Sequence, residues 1–319
     1  MRMGVVGAGL MGREIAFVYA MAGWDVVLLD RTREQLDQSL GILGELVAKG
    51  VKRGLFAEQD AEAALGRLRP ATGYEAMGDV SFVVEAVFER EAVKADVLKA
   101  LDEVCPESCI IASNTSTIPI STLARYLSEQ RRARFIGTHY FSPVSRMKLV
   151  EVIPAFDTAE DTVEKVMQMC ADAGKKPIRI KDVTGFAVNR MLHAFIIEAV
   201  RLVEEGVATP EDLDTACRLG LGHAMGPFEL MDAVTADLCV EAQEIMQDSY
   251  GERFRPPALL KQRVRAGLGG GRGQGCGRTA ARRLLRAARP GRADLVQGHA
   301  RRGAAAADPF AGAGQAPSG

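Results

Sequence analysis

Residues 3–12 read MGVVGAGLMG, a short apolar run that ends in a glycine-rich turn. Gly7, Gly9 and Gly12 have the spacing GxGxxG, and the apolar periodicity of the residues that follow predicts a helix. Glycines at these positions let the turn close and let the backbone approach a pyrophosphate, which then lies at the positively polarised N-terminus of the helix. The stretch therefore predicts a strand, a turn and a helix that together bind a dinucleotide.

Asp30 supports that interpretation. It ends the next predicted strand, DVVLLD, eighteen residues beyond Gly12. A carboxylate at this position accepts hydrogen bonds from a ribose 2′-hydroxyl and repels a 2′-phosphate, so the pattern favours NAD over NADP. Arg31 follows directly and leaves NADP open as the alternative.

The chain continues to alternate between strand and helix patterns as far as Asp182. Its strand patterns, such as DVSFVVEAV and CIIASN, are continuous apolar runs, which is typical of a parallel sheet covered on both faces. Only helical patterns follow, one of them with Thr209 as its cap and Pro210 at its first position. We expect an α/β fold, with a Rossmann-type, mostly parallel sheet in residues 1–183 and a separate all-helical domain in residues 184–267.

The composition is that of a globular protein and excludes several functional classes. No apolar run approaches the ~20 residues that span a membrane, and the first residues read as a strand rather than a signal peptide. Residues 1–267 carry a net charge of −8 and make a poor nucleic-acid surface. The six cysteines lack zinc-site spacing. We therefore expect a cytoplasmic protein without a metal, although bacterial cytosol and an organelle matrix cannot be distinguished.

Residues 268–319 differ in composition from the rest of the chain. They contain nine arginines and two acids, giving a charge of +7, among many glycines and alanines. Three interpretations are open: a disordered tail, an arginine/glycine-rich nucleic-acid tail, or a shifted reading frame through GC-rich codons. Phe310 is the segment's only aromatic residue, which argues against the nucleic-acid tail.

Two polar side chains interrupt apolar strand patterns in the first domain. His139 lies in RFIGTHYF and Glu151 lies in KLVEVI. Because burying either without a partner is costly, the two either satisfy each other in a core or move a proton. If a nicotinamide lies beside the pair, proton transfer becomes the favoured interpretation, since oxidising an alcohol requires a base for its hydroxyl proton. Imidazole serves near neutral pH, and a carboxylate on its other nitrogen fixes the tautomer.

Seven motifs follow one another in a specific order: GxGxxG, VFERxxVK, SNTST, HYFSPV, KLVEV, GFAVNR and MGPFELMD. In this order, over residues 2–267, the chain resembles the L-3-hydroxyacyl-CoA dehydrogenase family. The resemblance implies NAD-linked oxidation of a (3S)-3-hydroxyacyl-CoA to the 3-ketoacyl-CoA, or the reverse reduction, in fatty-acid or butanoate metabolism. It also implies a homodimer formed through the helical domain and an active site in the cleft between the domains.

The same resemblance implies roles for individual residues. His139 corresponds to the family's general base and Glu151 to its partner. Ser116 would hydrogen-bond the substrate's 3-oxygen beside the histidine and would also contact the cofactor, although a Ser/Thr-rich cap on the following helix is the alternative. Asn189 would polarise that oxygen or the thioester carbonyl, although a loop carbonyl could be its partner instead.

Further residues correspond to cofactor and substrate contacts. Glu89 and Lys94 fall where the family contacts the nicotinamide ribose, with a surface ion pair as the alternative. Ser142 stands on the nicotinamide side, where most of the family has asparagine, so cofactor binding could be weaker or the substrate different. The CoA portion is expected along the helical stretch 32–66, where its phosphates could meet Lys49, Lys52 and Arg53.

Two rival functions follow from departures from the family pattern. A weak CoA site would favour a dehydrogenase of a free 3-hydroxy acid, such as gulonate or carnitine. The family's aromatic, lysine-containing C-terminal ending is missing, which would favour a catalytically weak, cofactor-binding or structural relative, such as a recruited lens crystallin. The complete set Ser116, His139, Glu151 and Asn189 argues against that second rival.

Overall fold

The computed structural model describes residues 1–267 and Gly269, and within them eight strands form one sheet. The strands are β1 (Arg2–Val6), β2 (Asp25–Leu29), β3 (Leu68–Ala71), β4 (Phe82–Glu85), β5 (Ile110–Ser113), β6 (Phe135–Tyr140), β7 (Leu149–Pro154) and β8 (Lys176–Arg179). Their order is β3-β2-β1-β4-β5-β6-β7-β8. Strands β1 to β6 are parallel, β7 is antiparallel to β6, and β8 is parallel to β7.

The predicted mostly parallel sheet is therefore confirmed. One strand, β3, was not expected, because Arg69 and Pro70 interrupt its apolar pattern. Pro70 is tolerated because β3 lies at the edge of the sheet, where one side of the strand needs no ladder hydrogen bonds.

Helices connect the strands and continue after the last one. In chain order they are α1 (Leu10–Met21), α2 (Arg33–Lys52), α3 (Glu58–Gly66), α4 (Glu91–Val104), α5 (Ile120–Ala124), α6 (Glu129–Arg132), α7 (Glu160–Asp172), α8 (Val188–Glu204), α9 (Pro210–Gly220), α10 (Pro227–Val234), α11 (Ala236–Tyr250) and α12 (Ala258–Arg265). The predicted start of α9 is confirmed: the Thr209 hydroxyl accepts the Asp212 N–H at 3.2 Å, and Pro210 is the first helical residue.

Both faces of the sheet are buried under helices. Met3 and Val5 of β1 belong to one apolar cluster, which also contains Phe17 and Tyr19 of α1. Val6, the next residue of β1, belongs to a second cluster on the other face, together with side chains of α4 and α5. Successive strand residues point to opposite faces, so continuous apolar runs are what a doubly covered sheet requires.

The chain divides into two compact units. The first comprises Met1–Ile197 and Val240–Pro256, and it contains the whole sheet. The second comprises Glu198–Cys239 and the described residues from Pro257 onward. The domain boundary expected at residue 184 stays a prediction, and the interpretations of residues 270–319 fall outside the described part of the chain. Among the described helices, none is long and apolar enough to cross a membrane.

Candidate active site

The carboxyl ends of the central parallel strands meet at one edge of the sheet, where open α/β sheets bind their ligands. The glycine turn follows β1 and Asp30 follows β2. Glu89 and Ser116 lie in the loops after β4 and β5, and His139 lies near the end of β6. The strand order reverses direction between β1 and β4, so the predicted site residues surround the switch point of the sheet.

The glycine turn has the geometry of a pyrophosphate site. Gly7 has a φ of +97°, which a side chain would strain, and a Cβ at Gly12 would overlap the Gly7 carbonyl oxygen. A Cβ at Gly9 would meet no atom within 4 Å, so the backbone there is open to a ligand. No side chain caps the N-terminus of α1, which leaves its N–H groups available to an anion. These features fit the dinucleotide that the motif predicts.

Asp30 lies against this turn. Its Oδ2 accepts the N–H of Ala8 at 2.7 Å, and its Oδ1 accepts the N–H of Arg31 at 2.7 Å. A carboxylate has about four acceptor positions, so lone pairs remain for ribose hydroxyls. The residue therefore braces the glycine turn, and its contact with a ribose stays a prediction.

His139 and Glu151 are directly opposite each other in the antiparallel register of β6 and β7. Both are buried, and Oε2 of Glu151 lies 2.8 Å from Nδ1 of His139. The other oxygen, Oε1, accepts the N–H groups of Ala187 and Val188 at 3.0 Å each, at the start of α8. Burial alone would raise the pKa of Glu151, but the bonds from His139 and the Val188 amide outweigh it, and the pKa is lowered.

Ser116 completes the surroundings of the imidazole. Its hydroxyl oxygen lies 3.1 Å from Nε2 of His139. Because the ionised Glu151 can only accept, Nδ1 carries the proton of the neutral ring and Nε2 is left as an acceptor. The arrangement therefore presents a basic nitrogen beside a hydroxyl donor, at the edge where a nicotinamide and an alcohol would meet.

Glu89 organises the loop that carries Ser116. Its Oε1 accepts the backbone N–H groups of Ser116 and Thr117 at 2.8 Å each, and the Thr115 hydroxyl at 2.6 Å. Burial would raise the pKa of Glu89, but the Lys94 ammonium 3.4 Å from Oε2 and these hydrogen bonds outweigh it, so the pKa is lowered. Glu89 therefore positions Ser116 whether or not it also contacts a cofactor.

Lys94 is completely buried and its ammonium lies 3.4 Å from Glu89, so the ion pair considered as an alternative is present but does not lie on the surface. Its ammonium lies 2.8 Å from Oε1 of Glu85, whose side chain is also fully buried. Glu85 Oε2 in turn accepts the Ser113 hydroxyl at 2.6 Å. In this structure the ammonium is committed to Glu85 and Glu89, and a ribose contact by Lys94 stays a prediction.

The remaining two predicted site residues are less constrained. Asn189 is half-buried in the first turn of α8, immediately after Val188, whose N–H is held by Glu151. Ser142 is exposed in the loop after β6. The structure places both near elements that carry the His139–Glu151 pair, while their contacts with substrate or cofactor stay predictions.

Some residues of the site were not found from the sequence. Glu85 looks like part of an apolar strand, and only its contact with Lys94 reveals its role. Asp182 caps α5 by accepting the N–H groups of Ile120 and Ser121 at 2.8 Å each, which fixes the end of the Ser116 loop. The sequence signal for this cap is that Asp182 is an acidic residue at the end of the last predicted strand, KPIRIKD.

Metal ligation finds no support in the described residues, which contain no group of three or more His, Cys, Asp and Glu side chains able to hold an ion. The five described cysteines are free and buried.

Two models of one known family match consecutive parts of the chain. The NAD binding domain model of 3-hydroxyacyl-CoA dehydrogenase matches residues 2–183. The C-terminal domain model of the same family matches residues 185–278. Together the two models cover most of the chain.

Individual relatives are similar over nearly their whole length. A probable 3-hydroxybutyryl-CoA dehydrogenase of Deinococcus radiodurans is 39% identical over 269 residues, which are 84% of this chain and 96% of that protein. The mitochondrial hydroxyacyl-coenzyme A dehydrogenase of Sus scrofa is 41% identical, over 81% of this chain and 84% of that one. The crystal structure of (S)-3-hydroxybutyryl-CoA dehydrogenase from Ralstonia eutropha superposes with a TM-score of 0.80 at 35% identity, covering 84% and 95% of the two chains. The chain therefore belongs to the 3-hydroxyacyl-CoA dehydrogenase family.

Proposed function

We propose that the chain oxidises (3S)-3-hydroxyacyl-CoA esters to 3-ketoacyl-CoA with NAD, or catalyses the reverse reduction, in fatty-acid or butanoate metabolism. The observation that carries the proposal is His139 held between Ser116 at 3.1 Å and Glu151 at 2.8 Å, at the sheet edge that also holds the glycine turn. NAD, when bound, supplies the hydride acceptor.

Proton transfer is the task of His139. Its Nε2 takes the proton of the 3-hydroxyl as the carbon loses hydride, and the ring becomes an imidazolium. Glu151, fully buried and 2.8 Å from Nδ1, stabilises that positive charge. Because Oε1 is held by two backbone N–H groups, the carboxylate keeps its position while the ring changes charge.

Stabilisation of the substrate oxygen is the task of Ser116 and Asn189. That oxygen gains negative charge as the hydroxyl proton leaves in oxidation, and again as hydride arrives in reduction. Donors fixed in advance stabilise such charge in a water-poor site. Ser116 is fixed by Glu89, and the first turn of α8, which carries Asn189, is fixed by Glu151.

Cofactor binding is assigned to the sheet edge. The N–H groups at the start of α1 would hold the pyrophosphate, and Asp30 would hold the adenine ribose. Since Asp30 lies on the β2 side of the switch point, residues after β4, β5 and β6 would hold the nicotinamide half. We assign Glu89, Lys94 and Ser142 to that half.

The remaining attributes are also proposals. The names of the relatives support an acyl-CoA as the substrate. The bacterial source of these two relatives supports a cytoplasmic enzyme, and the mitochondrial relative of Sus scrofa keeps an organelle matrix as the alternative. A homodimer formed through the helical domain is supported by large apolar side chains that the second unit exposes: Val207, Leu219, Leu221 and Leu238.

NADH consumption with acetoacetyl-CoA, measured beside free acetoacetate, tests the proposed function. Turnover of the CoA ester with little turnover of the free acid supports it. Preferential turnover of the free acid would transfer the assignment to a 3-hydroxy-acid dehydrogenase. NADH binding without turnover of either compound would contradict the proposal and favour a catalytically weak relative.

A further inference from the structure

Glu14 is a buried carboxylate of α1 that none of these roles uses. Only 6% of the surface of Glu14 is exposed. Its Oε2 accepts the backbone N–H of Ser145 at 3.2 Å and the Ser145 hydroxyl at 3.4 Å. Ser145 lies 131 positions later, in the loop that joins β6 to β7 (residues 141–148). The contact therefore links the dinucleotide-binding helix to that loop.

Lys175 holds the same loop through its backbone. Its ammonium donates to the carbonyl oxygens of Val144 and Met147, the latter at 3.0 Å. Lys175 immediately precedes β8, so this anchor comes from a different element than Glu14. The two charged side chains thus fix the backbone of the loop at residues 144, 145 and 147, and Val144 is buried against the core.

A second contact joins α1 to the same hairpin. The hydroxyl of Tyr19 lies 2.8 Å from that of Tyr140, and both side chains are fully or almost fully buried. Tyr140 follows His139 directly in β6. The helix that begins at the glycine turn is therefore attached both to the strand of the base and to the loop beyond it.

These attachments matter because the reaction removes two groups from neighbouring substrate atoms. Hydride leaves the carbon, and the proton leaves the oxygen bonded to it. The start of α1 would hold the pyrophosphate of the cofactor that carries the hydride acceptor, whereas the proton acceptor, His139, is held by β6 and its partner β7. A displacement of about 1 Å between reacting groups can cost roughly 10²-fold in rate. A carboxylate buried away from water is expensive unless donors compensate it. For Glu14 the Ser145 donors supply this compensation, which favours keeping the helix and the loop together.

We propose that Glu14 is a positioning residue that, through Ser145, holds the dinucleotide-binding helix in register with the β6–β7 hairpin carrying His139 and Glu151. The inference rests on the proposed function for the reaction itself, but the brace acts on cofactor binding even without substrate. Lys175 supports the loop against which Glu14 acts.

The test compares variants of Glu14 by NADH fluorescence titration and by turnover. Glu14→Ala removes the acceptor, and we expect the Kd for NADH to rise at least fivefold. With NADH deuterated at C4, we expect a larger isotope effect on kcat, because hydride transfer becomes slower. Glu14→Gln keeps an oxygen that can accept from Ser145, so its Kd should stay within twofold of the wild type. Asp161→Ala, which removes an exposed carboxylate paired with Lys165, is the matched control.

The outcomes separate the brace from simpler explanations. If Glu14→Ala does not fold, Glu14→Met fills a similar volume without the carboxylate and takes its place. A merely structural role would lower the concentration of NADH-binding sites while leaving Kd and the isotope effect unchanged, and that result overturns the inference. If the wild type turns over no acyl-CoA, the proposed function fails, while the Kd measurement still decides whether Glu14 positions the cofactor helix.

Discussion

Glu151 lies opposite His139 across the antiparallel pair of β6 and β7, with Oε2 2.8 Å from Nδ1. Its other oxygen accepts the N–H groups of Ala187 and Val188. One carboxylate therefore orients the base and also fixes the first turn of α8, which carries Asn189. Proton transfer and stabilisation of the substrate oxygen therefore both depend on the position of Glu151.

Glu151→Gln should lower kcat by roughly 10²- to 10⁴-fold, because the neutral amide cannot stabilise the imidazolium. In either orientation of the amide, its NH₂ group faces another donor, either the Nδ1–H of His139 or the two backbone N–H groups. Because these donors then lack an acceptor, the free energy of unfolding should also fall by about 1–3 kcal/mol. Glu164→Gln, an identical charge change at an exposed position of α7, is the control. Steady-state kinetics and urea unfolding measure both effects, and a kcat within threefold of the wild type would contradict this role.

The same residue, Glu151, should make the free energy of unfolding depend on pH in acid. The pKa of Glu151 is lowered, so its contribution to stability is present above the unfolded-state pKa of about 4.3. That contribution should be lost as the pH falls through the folded-state value. The difference in unfolding free energy between wild type and Glu151→Gln should therefore shrink in acid, and a difference that stays constant from pH 6 to pH 3 would count against it.

Two glycines of the same motif should respond differently to alanine. A methyl group at Gly9 meets no protein atom within 4 Å, so Gly9→Ala should fold with unchanged stability but weaken NADH binding at least tenfold. A methyl group at Gly12 overlaps the Gly7 carbonyl, so Gly12→Ala should destabilise the protein itself by about 1–3 kcal/mol. Thermal unfolding without cofactor and NADH titration distinguish the two. Equal losses of stability would mean that Gly9 is not open to a ligand.

Lys94→Met should be strongly destabilising. It leaves the buried carboxylate of Glu85 without its cation, which costs about 3–5 kcal/mol when one partner of a buried pair is removed. Lys165→Met, which removes an exposed cation 2.8 Å from Asp161, should have a much smaller effect, because solvent screens a surface pair. Urea unfolding compares the two, and similar small losses would show that the buried pair carries little stability.

The sequence predicted the parts of the site that depend on local pattern. The glycine turn and Asp30 lie at the ends of adjacent strands because the strand–turn–helix–strand pattern fixes their positions. His139 and Glu151 were paired correctly because two polar residues in apolar strands must find partners, and the structure places them 2.8 Å apart. The family and the reaction class, which followed from the order of the motifs, are confirmed by the comparisons.

What the sequence did not predict depends on contacts between distant elements. Nothing local indicates that Lys94, in a charge-rich helix, is fully buried between Glu85 and Glu89. Nor does any local pattern show that Glu14 meets a loop 131 residues away. Such charges look like solvated helix faces, and only tertiary packing shows which of them are buried.

Lys175 gives a prediction on the alkaline side. Burial lowers the pKa of Lys175 to about 8, although Glu14 and Cys170 act to raise it. Between pH 8 and about 10.5 the unfolded chain holds a proton that the folded protein does not, so stability rises with pH across this window. Lys175→Met removes the effect. The unfolding free energy of wild type relative to Lys175→Met should therefore increase from pH 8 to pH 10, and a decrease would show that the lysine is not destabilised by burial.

The most direct test of the central claim is turnover by His139→Gln with acetoacetyl-CoA and NADH, measured together with NADH affinity. If His139 is the group that exchanges the proton with the substrate oxygen, kcat should fall by at least 10³-fold while the Kd for NADH stays within threefold of the wild type. Turnover within tenfold of the wild type, with NADH binding intact, would show that another group moves the proton and that the His139–Glu151 pair is part of the core.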